Sequence, residues 1–573
     1  MVAPSPSTRV LIVASDERQM EGISRFLSDQ PDGVGEPFDC HTCLLDSVSL
    51  DDARICARIS HQVREHRCHI VFIANGLDKS CPIDYDRLHE AALPAKCFML
   101  ANSTVGTNNA ARIFTSNVML ISLKGSQPRH VQLSIINKVR WQGVARDLEI
   151  TPEVILEEEV SKLGISANQE VGDTVSEIRE LLMYLCPSAK EMAITQLPGV
   201  SFPSLEKRQT KTIVLNLRVD DRLPVILKIT TRERIEHEVS NYREHIDGRL
   251  HGSQYARMEE HKVLWNFGAV VYHLLGGRLD EFKPLSEVYQ EEDVEKVEKS
   301  IKRLFADVWK EPYARPKKAP PQSLFRQYDE VWSRIRLKQH KPTWSQKLRD
   351  KVSDANALAR SSFTFPGIPL EFPNPAAWAL ANHERLSPHG TRQAITHGDL
   401  HADNVLVDEH GKPWLIDFER SGWGPILQDF VELECDLVTR LFMPESKDLS
   451  SLYYLSLILA RPESLAKPLV DDDWLKALKI EDFGSDFGKV LSVIGTLRST
   501  AARLAHDPDM REYLWGLLMN TLFLVAALEP ETIRYQRALL FGSVLCRRLS
   551  DWRNNARPPV WPPPEWDLRR YVT

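Results

Sequence analysis

Residues Ile395 to Leu437 read ITHGDLHADNVLVDEHGKPWLIDFERSGWGPILQDFVELECDL, and the order of polar and apolar residues in this stretch decides what kind of fold the chain can have. Asp399 lies in a polar loop behind His397 and Gly398, five residues before Asn404. Asp417 closes the short apolar run Trp414-Leu415-Ile416, eighteen positions after Asp399, which leaves room for a loop, a strand, a turn and a second strand. A hard cation accepts an amide oxygen as well as a carboxylate, so Asn404 and Asp417 are candidate magnesium ligands. Asp399, flanked by loop formers, is then free to face an acceptor hydroxyl. Placed charges of these types are what phosphoryl transfer from a nucleotide demands, because the protein contributes mainly positioning and electrostatics to that reaction.

HGDLHxxN followed by IDF resembles the aminoglycoside phosphotransferase and choline kinase branch of the protein-kinase-like fold. The resemblance implies ATP and Mg2+ as cofactors, Asp399 as catalytic base, His397 as a brace for the loop, and Asn404 and Asp417 on the metal. Gly424-Pro425 and Asp429-Phe430-Val431-Glu432 look like the segment that follows the metal-binding aspartate in that family. Upstream, Lys228 ends the apolar run Pro224-Val225-Ile226-Leu227 and resembles the lysine on the α and β phosphates. Its helix partner is expected to be Glu238, with Glu236 as second choice, since only one of the two can face the lysine. The run Val270 to Leu274 looks like the last strand and hinge, with Tyr272 and Leu274 offering backbone to adenine. At the phosphate loop the sequence departs from the family pattern. LPGVSFPSLEKRQT holds only Gly199 where several glycines are expected to let backbone amides approach phosphates, and Ser201, Ser204, Lys207 and Arg208 are the available substitutes.

The layout as a whole is similar to the kinase-like ternary complex associated domains of prokaryotic conflict systems. Two functions follow from the resemblance. One is an ATP- and magnesium-dependent phosphotransferase acting on an unidentified hydroxyl of a small molecule or protein. The other is a nucleotide-binding, pseudokinase-like signalling or scaffold protein.

Outward from this segment, 573 residues imply three or four folding units. Hydrophobic residues at 43% and charged residues at 26% exclude a wholly disordered chain. A formal charge of -7 gives no global basic field for nucleic acid. The most apolar stretch, Leu517 to Leu528, is interrupted by Asn520 and Thr521 and falls short of the roughly 20 residues that cross a bilayer, so a buried helix and a cytoplasmic protein are expected. Nine scattered cysteines read as free thiols.

Residues 1–140 alternate apolar runs with amphipathic stretches: RVLIVA from Arg9, CHIVFIA from Cys68, KCFMLA from Lys96 and NVMLISL from Asn117. This predicts a parallel sheet covered by helices, an α/β flavodoxin-like domain. It resembles a response-regulator receiver, with Asp16-Glu17 as the acidic pair and Lys124 after the last strand. Where that family carries its phosphoacceptor, this chain has Ala74-Asn75, which implies a degenerate receiver that works by contact with a protein partner. A helical connector is expected over 141–190, an α+β kinase-like N-lobe over 191–275, a mostly helical C-lobe over 276–550, and a Pro/Trp-rich tail over 551–573 that wraps its own domain. Cys40-His41-Thr42-Cys43 with His66, Cys68 and His69 has the residue types of a zinc site but lacks a second clear pair, so plain thiols are expected.

Overall fold

The computed structural model describes residues 8–14, 17–28, 39–45, 52–74, 85–101, 119–122, 148–162, 171–196, 212–250, 254–274, 282–338, 341–353, 357–443, 449–469, 485–506, 509–530, 532–552 and 561–566. The chain divides into two compact units, the first Met1–Gln196 with Gln209–Glu236 and Met258–Tyr272, the second Leu197–Arg208 with His237–Arg257 and His273–Thr573.

The first unit opens with β1 (Arg9–Ala14), α1 (Glu17–Ser28), β2 (Asp39–Leu44), α2 (Asp52–Glu65), β3 (Ile70–Ala74), α3 (Tyr85–Ala92), β4 (Lys96–Ala101) and β5 (Met119–Ser122). The strands form one sheet in the order β2-β1-β3-β4-β5, and every pair in it is parallel. Central strands β1 and β3 are buried from Val10 to Ala14 and from Ile70 to Ala74, as expected of strands covered on both faces. The edge strand β2, DCHTCL, is half exposed and carries no continuous apolar signal.

A second sheet follows. β6 (Glu149–Thr151) precedes α4 (Glu153–Lys162) and α5 (Val171–Leu185); then come β7 (Glu191–Gln196), β8 (Thr212–Val219), β9 (Val225–Thr231), α6 (Arg232–Asn241), β10 (Ala256–Val263) and β11 (Phe267–Leu274). The order is β10-β11-β9-β8-β7-β6, with β6 and β7 parallel and the β7-β8, β8-β9 and β9-β11 pairs antiparallel. One expectation changes here. The connector is not purely helical, because it contains β6, which adds a parallel edge to a sheet whose β7-β8, β8-β9 and β9-β11 pairs are antiparallel. A three-residue strand is too short to show a period-2 pattern, so nothing in its sequence announces it. Nor do α4 and α5 form a mere tether: Leu156, Val160, Ile178, Leu181 and Leu182 join Leu11, Val71, Leu215, Leu227 and Trp265 in one continuous core.

The second unit is mostly helical. Its elements include α7 (Val294–Arg303), prolonged by a π-helical turn over Leu304–Val308, α8 (Leu324–Lys338), α9 (Trp344–Ser353), the hairpin β12 (Ser362–Phe365) and β13 (Ile368–Pro373), and α10 (Pro375–Leu386). The central segment then supplies β14 (Arg392–Thr396), β15 (Val405–Val407), β16 (Pro413–Leu415), β17 (Gly422–Pro425) and α11 (Gln428–Asp436). β14 pairs antiparallel with β17 and β15 with β16, so the two ends of the loop that carries Asp399 rise from two small sheets. The helices α12 (Ser450–Ala460), α13 (Ser485–Leu504), α14 (Met510–Ala527) and α15 (Ile533–Asp551) complete the unit. Helix α14 contains most of the apolar stretch read above and is largely buried; among the described residues no helix is long and apolar enough to cross a membrane. The tail docks on this same unit, with Trp561 Nε1 donating to the Leu457 carbonyl at 2.9 Å and the Tyr453 hydroxyl donating to the Trp566 carbonyl at 2.5 Å. Its described end is a short 3-10 turn, Pro564–Trp566.

Candidate active site

The loop His397 to Asn404 connects β14 to β15, and three carboxylates on one helix hold it. Asp429, Glu432 and Asp436 are spaced i, i+3 and i+7 on α11, so they share one face. Asp429 accepts from the His397 amide at 2.9 Å, from the Gly398 amide at 3.0 Å and from the Tyr313 hydroxyl at 2.8 Å. Glu432 accepts from the Leu400 amide at 2.8 Å, and Asp436 from the Ala402 amide at 3.0 Å. A loop cannot bond its own amides the way a helix does, and each buried N–H left without an acceptor costs about 1–3 kcal/mol. The α11 face removes that cost at four consecutive or alternate positions and so fixes the backbone around Asp399.

Gly398 is required at its place. Its φ of +77° is in the left-handed region, and a Cβ there would come within 2.4 Å of the Arg420 carbonyl. Asp417 also has a positive φ, +64°, and opens the turn Asp417 to Ser421 that lies against the loop. From that turn Ser421 Oγ donates to the His397 carbonyl at 3.2 Å, and Arg420 Nη1 donates to Asp399 Oδ1 at 3.1 Å. Asp399 is half-buried.

His397 is fully buried, and its Nε2–H donates to the Ile416 carbonyl at 2.9 Å. Burial pushes its pKa down, against the opposing pull of Asp429, Asp417 and Asp399, so the ring is held neutral and the nitrogen facing Ile416 carries the proton. Its ring sits between Trp309, at 5.8 Å, and Phe418, at 5.5 Å. Through that bond it links the loop to the residue after β16. Asn404 is buried and donates its side-chain N–H to the Asp399 carbonyl at 2.8 Å, while its own carbonyl accepts from Ile416 N–H at 3.1 Å.

The residues of the α6 region within this unit approach the same turn. Asn241 donates its side-chain N–H to the Glu419 carbonyl at 2.6 Å, and Tyr242 packs edge-on against Phe418 at 5.6 Å. Glu238, Asp417 and Glu419 each present a carboxylate oxygen within 4.8 Å of the other two. Three carboxylates so close suit a divalent hard cation, whose charge would relieve their mutual repulsion.

Glu236, the second choice as partner of Lys228, is instead half exposed and paired with Arg232 at 2.8 Å. Lys228 lies in mid-strand on β9, 3% exposed, opposite Val214 and Val270. Tyr272 is buried on β11, which ends at Leu274. Gly199 and its substitutes Ser201, Ser204, Lys207 and Arg208 lie outside the described residues, as do Asp16, Asn75 and Lys124. Sequence reasoning missed Arg420 and Glu419, both within the quoted segment, and gave no role to the carboxylate face of α11, although its i, i+3, i+7 spacing was visible.

The cysteine and histidine cluster does not gather. Cys40 and Cys43 are three apart on a strand and therefore point to opposite faces. His41 stacks on His66 at 4.1 Å, and His69 is taken by Glu180. Burial pushes the Cys40 thiol up to about 11 and that of Cys68 to about 12, so neither is a thiolate. None of the eight described cysteines forms a disulfide.

Residues 345–526 match the family model of ternary complex associated domain 9. Over those residues the chain is similar to the family its layout resembles in sequence. No curated protein matches the chain. Among solved structures, the amicoumacin kinase hAmiN, in complex with AMP-PNP, Ca2+ and Ami, is 13% identical, with a TM-score of 0.34 over 59% of this chain and 86% of that one. The choline kinase LicA from Streptococcus pneumoniae is 10% identical, with a TM-score of 0.28 over 61% and 92%. A thermostable mutant of an aminoglycoside phosphotransferase, in ternary complex with ADP and hygromycin B, is 10% identical, with a TM-score of 0.30 over 62% and 94%.

Proposed function

We propose that the second unit carries an ATP-dependent phosphotransferase site acting on a hydroxyl of an unidentified acceptor, with Asp399 as the group that orients or deprotonates that hydroxyl. The observation that carries this reading is the anchoring of the Asp399 loop: three buried carboxylates of α11 and the neutral His397 are committed to holding one half-buried aspartate in place. A carboxylate left accessible on an otherwise saturated loop suits a positioned base. Arg420 bonds Asp399 Oδ1 and leaves Oδ2 for the hydroxyl proton.

Magnesium is the expected metal, and Asp417 with Glu238 and Glu419 would hold it, Asn404 Oδ1 being a further oxygen on the loop side. When bound, a divalent cation neutralises charge on the transferring phosphoryl group. Lys228, Tyr272, Leu274 and Gly199 are proposed to contact the nucleotide. The parallel sheet of the first unit, in the order 2-1-3-4-5, supports reading that part as a receiver-like, flavodoxin-type module, and Ala74 at the end of β3 supports its being degenerate.

The test is ATP turnover by the full chain with magnesium across sugars, amino-alcohols, aminoglycosides and protein hydroxyls. Asp399→Asn is expected to lower turnover with any established acceptor by ~10²-fold or more while nucleotide affinity stays within a few-fold. Turnover equal to the parent's would remove Asp399 from the chemistry. Magnesium-dependent nucleotide binding without turnover on any acceptor would favour the scaffold reading.

A further inference from the structure

Within the first unit lies a cavity of about 30 Å³, remote in sequence from the Asp399 loop and lined by Cys68, His69, Lys96, Tyr184, Lys262 and Trp265 among others. At roughly 10–15 Å³ per water position it has the scale of a small ion rather than of an aromatic ligand. Three of its lining residues, His69, Cys68 and Trp265, are bonded to neighbouring groups. Glu180 accepts from Arg9 at 2.9 Å and is bonded to His69, Arg9 lies over the Trp265 ring at 5.1 Å, and Trp265 Nε1 donates to the Cys68 carbonyl at 2.8 Å. The Cys68 thiol, pushed up to about 12, carries no charge.

The charge that remains is cationic. Lys96 opens β4 and Lys262 stands near the end of β10, its ammonium 5.6 Å from the centre of the Tyr184 ring. Among the described residues neither ammonium has a carboxylate within ion-pair distance. Burial and the neighbouring Lys96 both push Lys262 below the usual lysine range, and Glu260 opposes them only in part. Two like charges converging on one partly desolvated space are unfavourable unless an anion shares them, and convergent cations in a concave site are the ordinary way proteins take up oxyanions.

We propose that this cavity binds a phosphate dianion, free or as the terminal group of a small phosphate ester, with Lys96 and Lys262 donating to its oxygens and the Tyr184 ring forming one wall. The proposal stands independently of the Asp399 site.

The test is calorimetric titration of the full chain, without nucleotide, in a phosphate-free low-salt buffer, with inorganic phosphate in one arm and glycerol 3-phosphate in the other. The parent and Lys228→Met are expected to bind alike, which separates this cavity from any nucleotide site. The double variant Lys96→Met with Lys262→Met is expected to bind at least ~10-fold more weakly and to lose the rise in melting temperature that phosphate gives the parent. A Lys96→Arg, Lys262→Arg pair guards against misfolding, since it keeps the charge and is expected to retain binding. Binding in both arms identifies a terminal phosphate as sufficient, and binding in the first alone identifies the free ion. Absence of phosphate binding by the parent, undiminished binding by a folded methionine pair, or loss of binding in Lys228→Met alone would overturn the proposal.

Discussion

The Asp399 loop and Ala74 both stand at the C-terminal end of a strand, yet of these two places only the first carries a carboxylate among the described residues. At the first, a half-buried carboxylate is surrounded by backbone amides whose acceptors come from one helix face. At the second the strand ends in Ala74, 3% exposed, which has nothing to ionise or donate. The difference teaches that strand ends supply position only. Function has to be argued from the side chains there and from what immobilises them.

Substitutions at three positions test how the loop is furnished. Asp429→Ala has the largest expected effect after the loss of Asp399. It leaves the His397 and Gly398 amides and the Tyr313 hydroxyl without their acceptor, at about 1–3 kcal/mol each, so urea unfolding should show a loss of about 3 kcal/mol or more. Asp429→Asn keeps one accepting oxygen and should lose less. If both variants unfold like the parent, α11 does not hold the loop, and the contrast with β3 reduces to one residue.

Asp417→Ala comes next. It removes one of three carboxylates that share a space within 4.8 Å, and is expected to weaken magnesium-dependent nucleotide binding by ~10-fold or more, read by calorimetry with and without the metal. Equal magnesium dependence in parent and variant would move the metal away from this turn.

Much of this region was legible because its chemistry is local in sequence. His397, Asp399, Asn404 and Asp417 lie within one short segment, and the apolar runs before and between them set β14, β15 and β16. Arg420 was not legible, since an arginine in a turn is ordinarily a solvated residue and only the fold reveals that it bonds Asp399. Of the two candidate partners of Lys228, Glu236 is paired with Arg232, four residues before it on α6. The first unit was legible where strands are buried on both faces and illegible at β2 and β6, whose residues are half polar or too few. The shared core of the two sheets joins residues far apart in the chain, which no local pattern encodes.

The smallest effect isolates the middle carboxylate of the α11 face. Glu432 is fully buried, and burial first, then the charges of Asp429 and Asp399, push its carboxyl up to about 8 from the ordinary 4.5. Between those two values the folded chain keeps a proton that the unfolded chain releases, so this group's contribution to stability is fully present below about 4.5 and is lost as pH rises through about 8. Burial raises Asp429 in the same direction, so the parent's own pH slope cannot be assigned to one residue. Glu432→Gln separates them, because the amide does not titrate and its oxygen can still accept from the Leu400 amide. The variant's unfolding free energy, measured in urea at several values from pH 5.5 to 8.5, should therefore fall less steeply than the parent's, by up to one proton's worth, about 1.4 kcal/mol per pH unit. Parallel slopes would mean that Glu432 is ionised in the fold at neutral pH. The α11 face would then hold the Asp399 loop with Glu432 charged beside Asp436, and the Leu400 amide would be bonding a full carboxylate.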